Sequence, residues 1–294
     1  MTVSIAAAIH EGNKLLTEAG LSEGRREASN LLEHVLDRDR TFTLSHPEQL
    51  LTPEQLRTFR EFLVRRAAGE PPQYITAHQS FFGLDFEVSR GVLIPRPETE
   101  LLVETALKLL QNSNAGATVG DVGTGTGCIA ITLLHQLPEL RGVAVDISPT
   151  ALEVARRNAS RHSVSERLTL VRSDCFSALS PHDFSFDLIA SNPPYVAETE
   201  LPDLQREVRD YEPREALAGG SDGLAVIRRL LVESREFLKD GGYLLMEIGF
   251  NQAEEITKLI DPESWRSSGI EQDLQGIPRL VVLQKTVGQP SKFR

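Results

Sequence analysis

Apolar positions along the chain fall into two regimes. Up to about residue 75 they recur at helical spacing: Ile5, Ala8, Ile9, Leu15 and Leu16, then Ala28, Leu31, Leu32, Val35 and Leu36, then Leu56, Phe59, Phe62 and Leu63. Asp37 to His46 breaks this pattern, and Thr52, Pro53 and Gln55 mark a helix start with Thr52 as cap and Pro53 at the first helical position. Gly69, Pro71 and Pro72 close the region. Ser80 to Leu84, followed by Asp85 to Val88, is aromatic and alternating enough to predict a short β-hairpin. Past Pro95 and Pro97 a run from Glu98 to Gln111 carries Leu101, Leu102, Thr105, Leu109 and Leu110 on one helical face and opens the second regime.

In that second regime strand alternates with helix. Strands are predicted at 117–121, 142–147, 168–173, 186–191, 242–248 and 279–285, and helices at about 127–137, 149–161, 223–239 and 252–260. Strands joined through helices need right-handed crossovers, hence a mainly parallel sheet with helices on both faces and ligands at the carboxyl ends of its strands. The expected fold class is α/β. The division is a small helical domain at 1–75, a hairpin linker at 76–96 and an α/β domain at 97–288, with the tail from Gly288 to Arg294 frayed.

Composition narrows the function. With 40% hydrophobic and 25% charged residues in 294, the chain has an ordinary globular balance. A net charge of −11, from 31 basic and 42 acidic residues, disfavours broad binding to phosphate backbones and favours a small polar or protein substrate. Two cysteines, Cys128 and Cys175, are too few for a disulfide framework or a four-ligand zinc site and suit a reducing compartment. The seven histidines show no ligand spacing, so no metal is expected. No apolar run approaches the roughly 18 residues of a membrane span, and the first residues lack a secretory leader. A cytoplasmic protein is expected, with monomer as the default.

Three strand ends carry candidate chemistry. Asp121-Val-Gly123-Thr124-Gly125-Thr126-Gly127 follows a strand and opens a helix, so the backbone can turn tightly and admit a ligand. The spacing is neither the dinucleotide fingerprint nor a phosphate-binding loop, and an acid at the strand end suits a cationic ligand. Asp146 ends the next strand, where it can accept from ribose hydroxyls or cap the following helix. Asp174 ends the third, where it can take an exocyclic amine or be a loop acid. Three acids over one glycine loop describe a nucleoside without phosphates, and S-adenosylmethionine fits better than NAD or ATP.

After the fourth strand comes Asn192-Pro193-Pro194-Tyr195. Pro194 holds Pro193 extended, so the Asn192 side-chain oxygen and a backbone carbonyl can both accept from one planar NH₂ group, while Tyr195 offers a stacking face. The implied target is an amide or exocyclic amino nitrogen, whose delocalised lone pair must be aimed at the methyl donor.

These segments, with Gln73-Tyr74-Ile75, Phe81-Phe82-Gly83 and Ile94-Pro95-Arg96-Pro97-Glu98-Thr99-Glu100, resemble the HemK/PrmC family of peptide chain release factor glutamine N5-methyltransferases over nearly the whole chain. The resemblance implies a Rossmann-like class I methyltransferase domain behind a helical substrate-docking domain. It implies S-adenosylmethionine as cofactor and the Gly-Gly-Gln glutamine of class I release factors as substrate. It assigns cofactor binding to Asp121, Gly123, Thr124, Gly125, Thr126, Gly127, Asp146, Asp174, Cys175 and Asn192. Asn192, Pro193, Pro194 and Tyr195 take the substrate, with catalysis at Asn192, Pro193 and Tyr195. Cys175 stands where many relatives have an aromatic against adenine. The alternative is an amino-methyltransferase acting on adenine or guanine in nucleic acid, for which Arg156, Arg157, Arg161, Arg167 and Arg172 offer a basic cluster.

Overall fold

The structure is a computed structural model that describes residues 2–111 and 116–287, so the tail from Gly288 lies outside the described residues. The chain divides into two compact units, Met1–His78 with Gln205–Tyr211, and Gln79–Leu204 with Glu212–Arg294.

The first unit is helical: α1 (Ile5–Glu18), α2 (Gly24–Leu36), α3 (Arg40–Ser45), α4 (Pro53–Ala67) and α5 (Pro72–Thr76). The stripes read from the sequence form its core, with Ile5, Leu16, Leu31, Leu32, Phe59 and Leu63 all buried. At Gly12 a Cβ would lie 2.8 Å from the Ala28 Cβ, so α1 and α2 approach as closely as the missing side chain allows. Thr52 caps α4, and a reciprocal bond from the Thr52 amide to the Gln55 side chain completes a capping box. The predicted break at 37–46 contains α3. Asp37 ends α2 in the left-handed region (φ 50°), and Asp39 restarts the helix by accepting from the Phe42 amide at 2.8 Å.

The segment Gln205–Tyr211 is fastened into this unit by Arg66. The Arg66 guanidinium is buried, pairs with Glu27 and with Glu207 at 3.0 Å, and donates to the Glu70 carbonyl. The Tyr211 hydroxyl donates to the Ala68 carbonyl at 3.0 Å.

The second unit opens with the hairpin β1 (His78–Phe81) and β2 (Leu84–Glu87). Its turn falls at Phe82 and Gly83, both at positive φ (51° and 74°), which splits the first predicted strand before its end. Glu100 holds this turn by accepting from the Phe82 amide at 2.8 Å. Its helices are α6 (Glu100–Leu110), α7 (Cys128–Gln136), α8 (Pro149–Arg161), α10 (Arg214–Leu217), α11 (Ala225–Phe237) and α12 (Ala253–Leu259), while α9 (Arg206–Tyr211) lies in the segment that belongs to the first unit.

Seven strands form the sheet: β3 (Thr118–Val122), β4 (Arg141–Asp146), β5 (Leu168–Arg172), β6 (Phe186–Ser191), β7 (Leu238–Glu247), β8 (Trp265–Gln272) and β9 (Pro278–Lys285). Their order is β5-β4-β3-β6-β7-β9-β8. The first five run parallel, and β9 is antiparallel to both β7 and β8. Alternation sorts the two faces. Leu188, Ala190, Leu245, Leu280 and Val282 meet α6, α7 and α8, while Ile189, Leu244, Met246, Val281 and Leu283 meet α11 and α12. The strand order reverses at β3, between β4 and β6, so the carboxyl ends of β3 and β6 flank the crevice expected to hold a ligand.

In the sheet, β7 and β8 depart from the sequence reading. β7 begins at Leu238, not 242, because strand continues through Lys239-Asp240-Gly241-Gly242, with Gly241 at φ 77° and a register shift opposite at Phe186/Leu188. β8 was not anticipated. Its sequence WRSSGIEQ has little β-branched character, and among the described residues it pairs only along β9, with a register shift at Ser267/Gly269.

Candidate active site

The glycine loop runs from the end of β3 into α7. Gly123, Gly125 and Gly127 all sit at positive φ (75°, 56° and 83°), a conformation a side chain resists. A Cβ on Gly127 would in addition fall 2.6 Å from Ile131 Cδ1, so that side chain would have to move. Gly123 and Gly125 differ: among the described residues other than the chain neighbours, no atom lies within 4 Å of a Cβ built on Gly125, and a Cβ on Gly123 would find only the Asn192 carbonyl oxygen, 4.0 Å away. Their faces are therefore open to a ligand, and the loop lies beside the Asn192–Tyr195 segment.

Asp121 is fully buried below the loop. Its Oδ2 accepts from the Thr124 hydroxyl at 2.6 Å and from the Ala130 amide at 3.2 Å, while Oδ1 is buried without a hydrogen-bond partner among the described residues. Burial pushes its carboxyl up to about 6, with the Thr124 and Ala130 bonds pulling the other way and the Asp146 charge adding to the rise. A cationic group above the loop would relieve this buried charge, as a sulfonium nucleoside carrying an amino group does. The donor set fits S-adenosylmethionine.

Asp146 turns toward the same loop. Its Oδ2 accepts from the Gly125 amide at 2.8 Å and its Oδ1 from the Ser148 amide at 2.9 Å. It does not cap α8: Ser148 is the cap, its hydroxyl accepting from the Ala151 amide. A carboxylate has lone pairs beyond two bonds, so capacity for ribose hydroxyls remains. Asp174 is exposed and engaged, with Arg229 of α11 donating to its Oδ1 at 2.7 Å and to its carbonyl at 3.2 Å. Cys175 follows at φ 49°, buried in the apolar cluster with Phe176 and Ile227, and burial pushes its thiol up to about 11. Tyr195 is partly buried against that cluster, and burial pushes its hydroxyl up to about 12.

The Asn192–Tyr195 backbone is fixed from behind. The Ser191 hydroxyl donates to the Val122 carbonyl at 2.7 Å, tying the ends of β6 and β3. Gln252 donates to the Tyr195 carbonyl at 2.9 Å, the Val196 amide donates to the Leu217 carbonyl, and the Val196 carbonyl accepts from the Gly219 amide. Gly219 and Gly223 are needed here, because a Cβ on Gly219 would lie 2.7 Å from the Pro194 carbonyl oxygen and one on Gly223 would lie 2.3 Å from that of Tyr195.

Three contributors escape the sequence reading. The Asn192 Nδ2 donates to the Thr99 hydroxyl oxygen at 3.1 Å, and the Thr99 hydroxyl donates to Glu247 Oε2 at 2.6 Å. Thr99 lies in the Ile94–Glu100 segment, yet nothing in spacing points to a partner 93 residues away. Glu247 ends β7 and is buried; burial pushes its carboxyl up to about 7 against the lowering pull of Thr99. Asn158, fully buried on α8, donates to the Glu87 and Thr126 carbonyls and accepts from the Glu87 amide, so it binds hairpin to glycine loop. The arginine cluster is occupied. Arg156 and Arg157 pair with Glu153, Arg157 also with Glu87, and Arg161 with Asp85; Arg167 and Arg172 donate to backbone carbonyls.

Residues 7–76 match the PrmC N-terminal domain and residues 97–208 the methyltransferase small domain. The chain is 42% identical over 283 residues to a release factor glutamine methyltransferase of Koribacter versatilis, covering 96% of this chain and 99% of that protein. It is 43% identical over 266 residues to one from Geobacter sulfurreducens, covering 90% and 91%. A crystal structure of a methyltransferase from Pyrococcus furiosus superposes with a TM-score of 0.53 at 20% identity, covering 71% of this chain and 92% of that one, a likeness of fold alone.

Proposed function

The chain belongs to the family of release factor glutamine methyltransferases, and from that premise we propose that it moves a methyl group from S-adenosylmethionine to the side-chain amide nitrogen of the Gly-Gly-Gln glutamine in class I release factors. The observation that carries the reading is the adjacency of the open glycine loop and Asn192, with the Asn192 carbonyl oxygen 4.0 Å from where a Cβ on Gly123 would stand. Donor and amide-holding residues lie side by side at the strand ends.

The cofactor, when bound, supplies a sulfonium-activated methyl group. Asp121 offsets the positive charge of that cofactor, Asp146 accepts from its ribose, and the bare faces of Gly123 and Gly125 let it approach the backbone; Thr124, Thr126 and Gly127 hold the loop in shape. Asp174 and Cys175 border the base. Asp174 reaches an exocyclic amine with the acceptor capacity its bond to Arg229 leaves over. Asn192 Oδ1 and the Pro193 carbonyl accept the two amide hydrogens of the substrate, Pro194 fixes the carbonyl direction, and Tyr195 stacks on the amide plane. Because the amide loses its proton only as the new bond forms, positioning does most of the work and no strong base is required.

The helical unit takes the protein substrate, since a free amino acid would need no such appendage. We place the enzyme in the cytoplasm, as a monomer without stable nucleic-acid binding. No helix among the described residues is long and apolar enough to cross a membrane. Labelled methyl transfer to a release factor and to its Gly-Gly-Glu variant tests the amide assignment. Label confined to the Gly-Gly-Gln form supports it, and equal labelling of both overturns it.

A further inference from the structure

The geometry points to a polarity relay in which Glu247, acting through Thr99, determines that Asn192 presents its oxygen and not its nitrogen to the substrate amide. This rests on the proposed function, because the relay has a purpose only if the substrate group to be held is an NH₂.

A carboxylate only accepts, so the bond of 2.6 Å between Thr99 Oγ1 and Glu247 Oε2 takes the single hydroxyl proton of Thr99. The hydroxyl oxygen is then left with lone pairs alone. Of the two ends of the Asn192 amide, only Nδ2 can donate to it, and it does so at 3.1 Å. Oδ1 is thereby left at the opposite edge of the planar amide as an acceptor. The reverse orientation would set an NH₂ of Asn192 against the NH₂ of the glutamine, two donors facing each other, and leave the substrate hydrogens unheld.

The members come from three separate places: Thr99 just before α6, Glu247 at the end of β7 and Asn192 after β6. Thr99 and Glu247 are both buried, so solvent does not compete for the hydroxyl. The charged and titratable groups around Glu247 among the described residues are Glu98, Arg96, Arg279, the Tyr195 hydroxyl and the buried Cys128 thiol. Arg96 is held by Glu212 and Arg279 by Asp273 at 3.2 Å, so neither cation is the hydrogen-bonded partner that Thr99 is. Protonation of Glu247 reverses the relay: the carboxyl donates to Thr99, and the freed hydroxyl proton calls for Oδ1 of Asn192. Thr99 and Glu247 are positioning residues that act through Asn192.

The test compares Thr99→Val, Thr99→Ser and Glu247→Gln with the unaltered chain, reading kcat and KM for a Gly-Gly-Gln peptide, the affinity for S-adenosylhomocysteine, and the pH profile of kcat. Thr99→Val keeps the shape and removes the acceptor, and is expected to lower kcat about tenfold or more with S-adenosylhomocysteine affinity unchanged within about twofold. Thr99→Ser is expected to restore most of the activity. The unaltered chain should lose kcat as pH falls through about 7, where Glu247 titrates, and Glu247→Gln should lack that limb and so decide the matter if Thr99→Val does not fold. Equal activity of Thr99→Val and the unaltered chain, equal impairment of Thr99→Val and Thr99→Ser, or an acid limb retained in Glu247→Gln would overturn the relay. Failure of the unaltered chain to methylate the glutamine is a separate result, which removes the functional reading and not the relay alone.

Discussion

At the scale of single residues the site sets burial against charge. Asp121 is held where its carboxyl is raised from an ordinary 3.8 to about 6 and one oxygen lacks a partner. The fold therefore prefers the neutral acid, and stability falls as pH rises from about 4 to 6, with the whole cost present above that. Asp121→Asn is expected to raise the melting temperature at pH 8, corresponding to about 2–3 kcal/mol at most, with a smaller gain at pH 5. The same change should weaken S-adenosylhomocysteine binding. A gain equal at both pH values would contradict the assignment of the cost to ionisation. Asn192→Ala is expected to lower kcat about a hundredfold while cofactor affinity stays within about twofold. A comparable loss of cofactor affinity would show Asn192 to be a cofactor residue first.

Much of this was legible from the sequence, because glycines and acids at strand ends announce themselves by spacing. Thr99, Glu247 and Asn158 were not, since each gains its meaning from a partner distant along the chain: Thr99 and Glu247 are 148 residues apart, and Asn158 and Glu87 are 71 apart.

Among elements, local signals and long-range ones fared differently. α4 begins where Thr52 and Pro53 predict, and its capping box makes Thr52→Ala a clean probe, expected to cost about 1 kcal/mol in thermal or denaturant unfolding. Asn158→Ala should cost more, about 1–3 kcal/mol, because it removes the bonds that Asn158 makes to the Glu87 amide and to the Glu87 and Thr126 carbonyls at the joint between β2 and the glycine loop. A loss smaller than that of Thr52→Ala would deny the joint its structural role. Elements with apolar periodicity, α8 and β6 among them, coincide with their predicted spans. The ones missed, α3, α5, α9, α10 and β8, are short or polar, so their apolar periodicity is too brief to read.

For the molecule as a whole, the net charge of −11 and the pairing of the arginine cluster within the chain oppose a nucleic-acid substrate. Binding to RNA or DNA is expected to be weak at physiological salt. Tight binding with a steep dependence on salt would favour the adenine or guanine alternative. The helical unit should show itself in kcat/KM, which is expected to be at least about tenfold higher for intact release factor than for a Gly-Gly-Gln peptide; equal values would remove the docking role. That segment 205–211 belongs to the helical unit, through Arg66 and Tyr211, was invisible in a sequence where it lies ten residues beyond Tyr195. Peptide mass spectrometry of a class I release factor incubated with this chain and S-adenosylmethionine, with the Asn192→Ala chain as control, decides whether the methyl group reaches the glutamine. A mass gain of one methylene on the Gly-Gly-Gln glutamine, absent in the control, is predicted; an unmodified glutamine, from a chain that still binds S-adenosylhomocysteine, would contradict it.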